Sequence, residues 1–174
     1  PLAALHGDRD TQADAVVCQR VLSGSLDSRL MRVLRTRHGL VYGLRMHATL
    51  DRHDPNLSNV TFETTCRPAD GDALVKHVLR EVSKPITRHE AQRVRMGLRR
   101  ALMHRAYALS PARVAEELQT EWLWHARVED DESRFGRALA RLGGPNTVMD
   151  ALRNTTPHIT FICADAGGEA GGRA

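Results

Sequence analysis

The chain has 174 residues, of which 25 are basic and 21 acidic, giving a net charge of +4. Hydrophobic residues make up 41 % and aromatic residues only 4 %, so the chain can bury a core built mainly from aliphatic side chains. No apolar run approaches the ~18 residues that span a membrane, and no signal-peptide pattern occurs, so we expect a cytoplasmic protein without a membrane partner. Three isolated cysteines favour a reducing compartment over a disulfide framework or a cysteine-rich zinc site.

Two helices are predicted at the start of the chain. Apolar residues recur at helical spacing over 11–26 and again over 27–37. Asp14 can cap the first helix, and Asp27 or Ser28 can satisfy the free N–H groups at the start of the second.

Gly39 separates the second helix from two predicted strands. Glycine adopts the left-handed conformation that ends a helix at little cost. Residues 40–50 alternate in polarity and residues 58–66 are rich in β-branched side chains, so the two segments are predicted to pair. The predicted apolar face of the first strand carries Leu40, Tyr42, Leu44, Met46 and Ala48.

The second half of the chain is predicted to be mostly helical. Proline, glycine and capping signals divide it into helices over 70–83, 87–107, 111–126, 131–142 and 145–152. Thr87 and Glu90 form a capping-box pattern at the start of the longest one. A last strand is predicted over 156–163.

This order of elements predicts an α+β domain, with a mostly antiparallel sheet and helices packed on one face, because few βαβ units occur. We expect the domain to span residues 1–166, followed by a flexible Gly-rich tail over 167–174. Three strands are few for so much helix. A further strand before residue 11 would fit, and residues 1–5 are its candidate remnant.

No metal or cofactor site is predicted within the chain. His89 and Glu90 begin the zinc-helix pattern H-E-x-x-H, but Arg93 stands where the second histidine is required. The inverted order H-x-x-E-H, the serine-nucleophile frame and the phosphate-binding glycine loops are also missing from the sequence.

The predicted helix over 87–107 carries many arginines: Arg88, Arg93, Arg95, Arg99, Arg100 and Arg105. They indicate either an anionic partner, such as nucleic acid, or a solvated helix face. No aromatic side chains are interleaved to stack on bases, which favours the solvated face.

Arg35 and Tyr42 flank a predicted corner between helix and strand. A guanidinium and a phenol hydroxyl placed together there can donate hydrogen bonds to the backbone of an extended peptide. The alternative is structural: the arginine pairs with an acid and the tyrosine packs in the core.

The residues on both sides of this corner carry a family resemblance. Leu-Ser-Gly-Ser-Leu-Asp-Ser-Arg-Leu over 22–30 and Leu-Arg-Thr-Arg-His-Gly-Leu-Val-Tyr over 34–42 resemble the C-terminal, non-zinc half of the pitrilysin/insulinase family of zinc peptidases. That family includes the mitochondrial processing peptidases and bacterial relatives. The order of the following elements is also similar over nearly the whole chain, although Ser23-Gly24-Ser25 replaces the family's usual double glycine.

The resemblance implies half of a clamshell-shaped peptidase. In this family the N-terminal half carries zinc, and the C-terminal half contributes an arginine and a tyrosine that reach the substrate. Those residues correspond to Arg35 and Tyr42, with Gly39 and Leu40 shaping the corner. The implied cofactor is zinc in a partner half or subunit, so this chain should be inactive alone. The alternatives are a structural domain of the same fold and a basic nucleic-acid-binding module.

Overall fold

The computed structural model describes residues 5–108, 110, 112, 115, 119, 131–142 and 144–160. The helices are α1 (Arg9–Leu22), α2 (Arg29–Met31), α3 (Gly71–Val82), α4 (Arg88–Ala108), α5 (Asp131–Arg141) and α6 (Thr147–Asn154), and the strands are β1 (Leu44–Thr49) and β2 (Asn59–Thr64). A π-helical turn over Arg32–Arg37 continues α2, and short 3-10 turns occupy Pro55–Leu57 and Pro68–Asp70. None of the described helices is long and apolar enough to cross a membrane.

The first helix begins earlier than predicted. Asp8 is its N-cap and accepts a hydrogen bond from the backbone N–H of Thr11 at 2.7 Å. The prediction that Asp14 caps this helix is wrong, because Asp14 lies fully buried inside it. There its carboxylate accepts hydrogen bonds from the Arg141 guanidinium and from the backbone N–H of Thr147. This buried carboxylate therefore ties α1 to the corner between α5 and α6.

The two strands form an antiparallel sheet in which Leu44 pairs with Thr64 and Met46 with Phe62. Leu44 and Met46 are buried, whereas the β1 residues that point to the other face are exposed. The Gln19 side chain on α1 donates a hydrogen bond to the Met46 carbonyl at 3.1 Å. Helices thus cover one face of the sheet, and the predicted α+β class is confirmed.

Strand β1 is shorter than predicted. It begins at Leu44, opposite Thr64, where β2 ends, so residues 40–43 have no partner in β2. In this unpaired segment Val41 is buried and Tyr42 is 82 % exposed. The predicted apolar face therefore does not extend to Leu40 and Tyr42.

The predicted last strand does not form within residues 156–160, which are irregular and exposed. Residues 161–163 lie outside the described part of the chain. Most of the predicted helix over 111–126 and the whole Gly-rich tail also lie outside it. Of the candidate first strand, the structure describes only Leu5, which is fully buried and belongs to no strand.

The core lies between α1 and the segment that leads to the sheet. Its fully buried side chains include Val17, Val21 and Leu22 of α1, Leu30, Leu34, Leu98 and Met149. Val17, Val21 and Leu22 share one face of α1, as predicted. Leu30 and Leu34 face the same core from the stretch that carries Arg35, so core packing fixes the position of that arginine.

A buried arginine fixes the same stretch from the opposite side. Arg29 is 3 % exposed, and its guanidinium donates to both carboxylate oxygens of Glu90. Glu90 also accepts hydrogen bonds from the backbone N–H and the hydroxyl of Thr87, both at 2.9 Å, while its own N–H donates to that hydroxyl at 3.3 Å. The predicted capping box is therefore confirmed, and the carboxylate that closes it also binds α2.

Candidate functional site

Arg35 lies in the π-helical turn that leads into the predicted corner. Such turns insert an extra residue into a helix and are frequent at functional sites. The Arg35 carbonyl accepts a hydrogen bond from the Gly39 N–H at 3.1 Å, and the Leu34 carbonyl accepts one from the Leu40 N–H at 2.8 Å. Gly39 has φ of +59°, in the left-handed region that favours glycine. The backbone therefore turns at Gly39 and Leu40 between the helical stretch and the sheet.

The corner brings Arg35 and Tyr42 into direct contact. The guanidinium carbon of Arg35 lies 4.6 Å from the centroid of the Tyr42 ring, a cation–π geometry. Among the described residues, no carboxylate forms an ion pair with Arg35. Tyr42 is 82 % exposed. The structural alternative, an acid-paired arginine beside a buried tyrosine, is therefore not what the structure contains.

Both side chains line a groove of about 680 Å³. One wall is the loop over residues 23–26, and the opposite wall is formed by the start of β1 and the end of β2. The Thr64 hydroxyl donates to the Gly43 carbonyl at 2.6 Å, which fastens the unpaired segment to β2. Met31 contributes an apolar side chain to the lining. The groove thus brings the backbone at Tyr42 and Gly43, which has no pairing partner in β2, together with the side-chain donors of Arg35 and Tyr42.

The charged lining of the groove is mixed. Arg35 and Arg45 contribute positive charge, and Glu63 contributes a carboxylate. The Glu63 carboxylate lies 3.9 Å from the Nε2 atom of His47, and both side chains are more than half exposed. Such a pair contributes little energy, so Glu63 remains available to an incoming ligand.

A histidine stack supports the outer side of the corner. The ring centroids of His38 and of His77 on α3 lie 4.1 Å apart, and the ring planes are inclined by 30°. Desolvation, followed by the nearby charges of His38 and Arg80, lowers the pKa of His77. The stack joins the residue that precedes Gly39 to α3.

The histidines and acids of the described ranges do not assemble a metal site. No three His, Cys, Asp or Glu side chains lie grouped within these ranges. Glu90, from the incomplete zinc-helix pattern, is occupied by Arg29 and Thr87. The donor set in this part of the molecule therefore does not fit zinc.

Solved structures resemble this one. The peptidase M16 inactive domain from Pseudomonas fluorescens matches with a TM-score of 0.66 and 18 % identity, over 88 % of this chain and 36 % of that chain. The inactive peptidase domain of a candidate zinc protease from Bordetella parapertussis matches with a TM-score of 0.57 and 19 % identity, over 84 % of this chain and 78 % of that chain. A protease from Helicobacter pylori matches with a TM-score of 0.56 and 17 % identity, over 84 % of this chain and 33 % of that chain.

The chain has the fold of the inactive M16 peptidase domains. The resemblance to the non-zinc half of pitrilysin-like proteins is therefore confirmed for the fold. No family model matches the sequence, and no curated protein matches it. This chain covers only 36 % of the Pseudomonas chain, so the activity of a whole peptidase enters below as a proposal.

The sequence reasoning missed the role of Arg29. The Ser28-Arg29-Leu30 motif supplied part of the family resemblance, yet its arginine is buried and holds α2 to the start of α4. Its partner Glu90 lies 61 positions away, and no local pattern connects the two.

Proposed function

We propose that this chain is the substrate-binding, non-catalytic half of a zinc metallopeptidase that cleaves peptides. One observation carries the proposal: Arg35 and Tyr42 are stacked on each other at a groove, and Arg35 has no acidic partner among the described residues. Ordering these two side chains costs rotamer entropy, and the stack holds both donors in place before a ligand binds.

The stack leaves the donor groups of both residues free. A cation–π contact uses the face of the guanidinium, so its N–H groups still point outward in the plane. The Tyr42 hydroxyl stands in solvent at the edge of its ring. Both residues can donate to the carbonyl of an extended peptide, and to its oxygen as negative charge develops during cleavage.

The proposed partner supplies zinc. The fold neighbours include an inactive domain of a candidate zinc protease, and the described residues of this chain offer no fitting donor set. In the proposed complex, zinc would activate the attacking water on a separate half or subunit. Arg35 and Tyr42 would orient the peptide from this half.

The test is peptide cleavage by this chain together with its copurifying zinc-bearing half, using a mixed-sequence library of quenched fluorescent peptides. Loss of one such donor typically lowers the rate by ~10²–10³, so Tyr42→Phe and Arg35→Ala should each reduce kcat/KM by about that factor. Arg37→Ala is the matched control, because Arg37 is exposed on the same turn and does not line the groove.

The alternative is a structural domain of the same fold without a peptidase role. The Arg29–Glu90 pair favours this alternative, because Arg29 belongs to the motif that carries the family resemblance and its contacts hold the fold together. Unchanged kcat/KM in both Arg35→Ala and Tyr42→Phe would decide for this alternative.

A further inference from the structure

A second cavity lies behind the loop over residues 23–26, against the outer side of α4. Its volume is about 500 Å³. Its polar lining includes Arg20, Asp27, His89, Gln92, Arg93 and Arg100. It shares Gly24 and Ser25 with the groove that holds Arg35 and Tyr42.

The lining of this cavity carries uncompensated positive charge. Three arginines face one aspartate, Asp27, with histidine taken as neutral. Within the described ranges, neither Arg20, Arg93 nor Arg100 forms an ion pair with a carboxylate. Asp27 likewise forms no ion pair there, so it neutralises none of the three at close range.

Arg93 marks where an acceptor is missing. Its Nη2 atom is buried and has no hydrogen-bond partner. Buried polar groups are nearly always hydrogen-bonded, because an unpaired one loses its hydration and gains no hydrogen bond in return. This atom has almost no surface open to the cavity, so a ligand there would bind the other N–H groups of Arg93, on Nε and Nη1. The missing acceptor shows that the described part of the fold leaves this guanidinium uncompensated.

Two glycines shape the space. A Cβ atom at Gly24 would lie 2.8 Å from the Arg20 Cα, so glycine is required for the loop to lie against α1. A Cβ atom at Gly97 would meet nothing within 4 Å among the described residues. Glycine inside a helix is less favourable than alanine, and packing among the described residues does not demand it at Gly97. Its effect is to keep the α4 side of the cavity open.

We propose that this cavity binds an oxyanion, with Arg93 as the principal contact and with Arg20 and Arg100 flanking it. The ligand is a carboxylate or phosphate group. Two sources share that chemistry: a free small anion, and an acidic side chain of a peptide whose backbone crosses the shared Gly24–Ser25 loop. The site does not depend on the role proposed for Arg35 and Tyr42.

The first arm of the test titrates the full chain with inorganic phosphate at constant ionic strength, with chloride as the balancing anion. The NMR signal of the Arg93 Nε–H group should shift and saturate. Arg93→Gln should weaken phosphate binding about tenfold or more, since a hydrogen bond to a charged group is lost. Arg99→Gln, an exposed position of α4 outside the cavity, should leave binding unchanged.

The second arm compares two peptides that differ only by one glutamate replaced by glutamine. Tighter binding of the glutamate peptide, lost in Arg93→Gln, identifies a peptide carboxylate as the source, even when phosphate does not bind. Arg100→Gln provides a second cavity variant, and thermal unfolding verifies that each variant is folded.

The proposal is overturned if the NMR shift of Arg93 grows linearly with phosphate concentration without saturating and the two peptides bind with equal affinity. It is also overturned if Arg93→Gln and Arg99→Gln bind phosphate and peptide equally well. Arg35→Gln separates the two proposals: it should leave phosphate binding intact whether or not the chain acts in a peptidase.

Discussion

The Arg29 guanidinium lies 2.6 Å from the Glu90 carboxylate, and both side chains are 4 % exposed. The same guanidinium donates to the backbone carbonyls of Glu81, Lys84 and Pro85 at 2.8–2.9 Å. It therefore closes the turn between α3 and α4 as well as joining α2 to it. No other side chain offers five N–H donors in a planar fork, so no substitution could replace all of these hydrogen bonds.

Loss of this guanidinium should destabilise the whole chain. In Arg29→Met the Glu90 charge stays buried without its partner, and breaking such a pair costs about 3–5 kcal/mol. Urea unfolding measures this free energy. Arg32→Met, an exposed position in the same helical stretch, should change it by less than about 0.5 kcal/mol. Equal effects of the two variants would contradict the buried role of Arg29.

Stability should depend on the ionisation of Glu90. Burial acts to raise the pKa of Glu90, but the hydrogen bonds from Arg29 and Thr87 and the charge of Arg29 outweigh it, lowering the pKa from 4.5 to about 2. A depressed carboxyl pKa contributes stability above the unfolded value of 4.5 and loses it as the pH falls towards 2. The contribution is about 3 kcal/mol at neutral pH, of which about 2 kcal/mol is lost by pH 3.

The measurement compares urea unfolding of the wild type and Glu90→Gln at pH 6 and pH 3. The free-energy gap between them should narrow at the lower pH, since glutamine does not titrate. A gap that stays constant across this range would show that Glu90 has an ordinary pKa.

The left-handed residue at the corner should tolerate only glycine well. Gly39→Ala places a Cβ atom at φ of +59°, which costs about 1–2 kcal/mol although the surrounding space is open. Gly39→Asn should cost less, because asparagine enters this region more readily. Gly43→Ala is the control, with equally open space and no positive φ. Thermal unfolding should show the largest loss of stability in Gly39→Ala, a smaller loss in Gly39→Asn and the smallest in Gly43→Ala.

Two aspartates that contact one arginine should differ greatly in importance. Asp14 is fully buried and Asp10 is 61 % exposed, and both lie beside Arg141. Asp14→Asn removes charge-assisted hydrogen bonds inside the protein and should cost about 2–3 kcal/mol. Asp10→Asn should cost less than about 0.5 kcal/mol by chemical denaturation. Similar losses in the two variants would refute the distinction.

Local patterns predicted most helices and the corner. The Thr87/Glu90 capping box and the left-handed Gly39 were readable because each depends on residues a few positions apart. The closeness of Arg35 and Tyr42 was predicted from their positions on either side of the helix–strand corner, whereas the direct cation–π contact was not. Their function is still a prediction.

Errors arose where distant contacts decided the outcome. Asp14 has the chemistry of a cap, but a salt bridge to Arg141, 127 positions away, draws it into the core. Residues 40–43 have the alternation of a strand, yet β2 ends before reaching them. The excess of positive charge in the second cavity was not predicted. The spacing of arginines on α4 does not show which of them line a cavity together with Arg20.

The Arg29 contacts have a consequence for hydrogen exchange. Amides of Arg32–Arg37 cannot open by fraying alone, because Arg29 anchors their helical stretch to acceptors 52–61 positions along the chain. The start of α4 and the stretch that carries Arg35 should therefore exchange as one cooperative unit, at a rate set by rupture of the Glu90 pair. The order of the corner is thus inherited from a contact that does not line the groove.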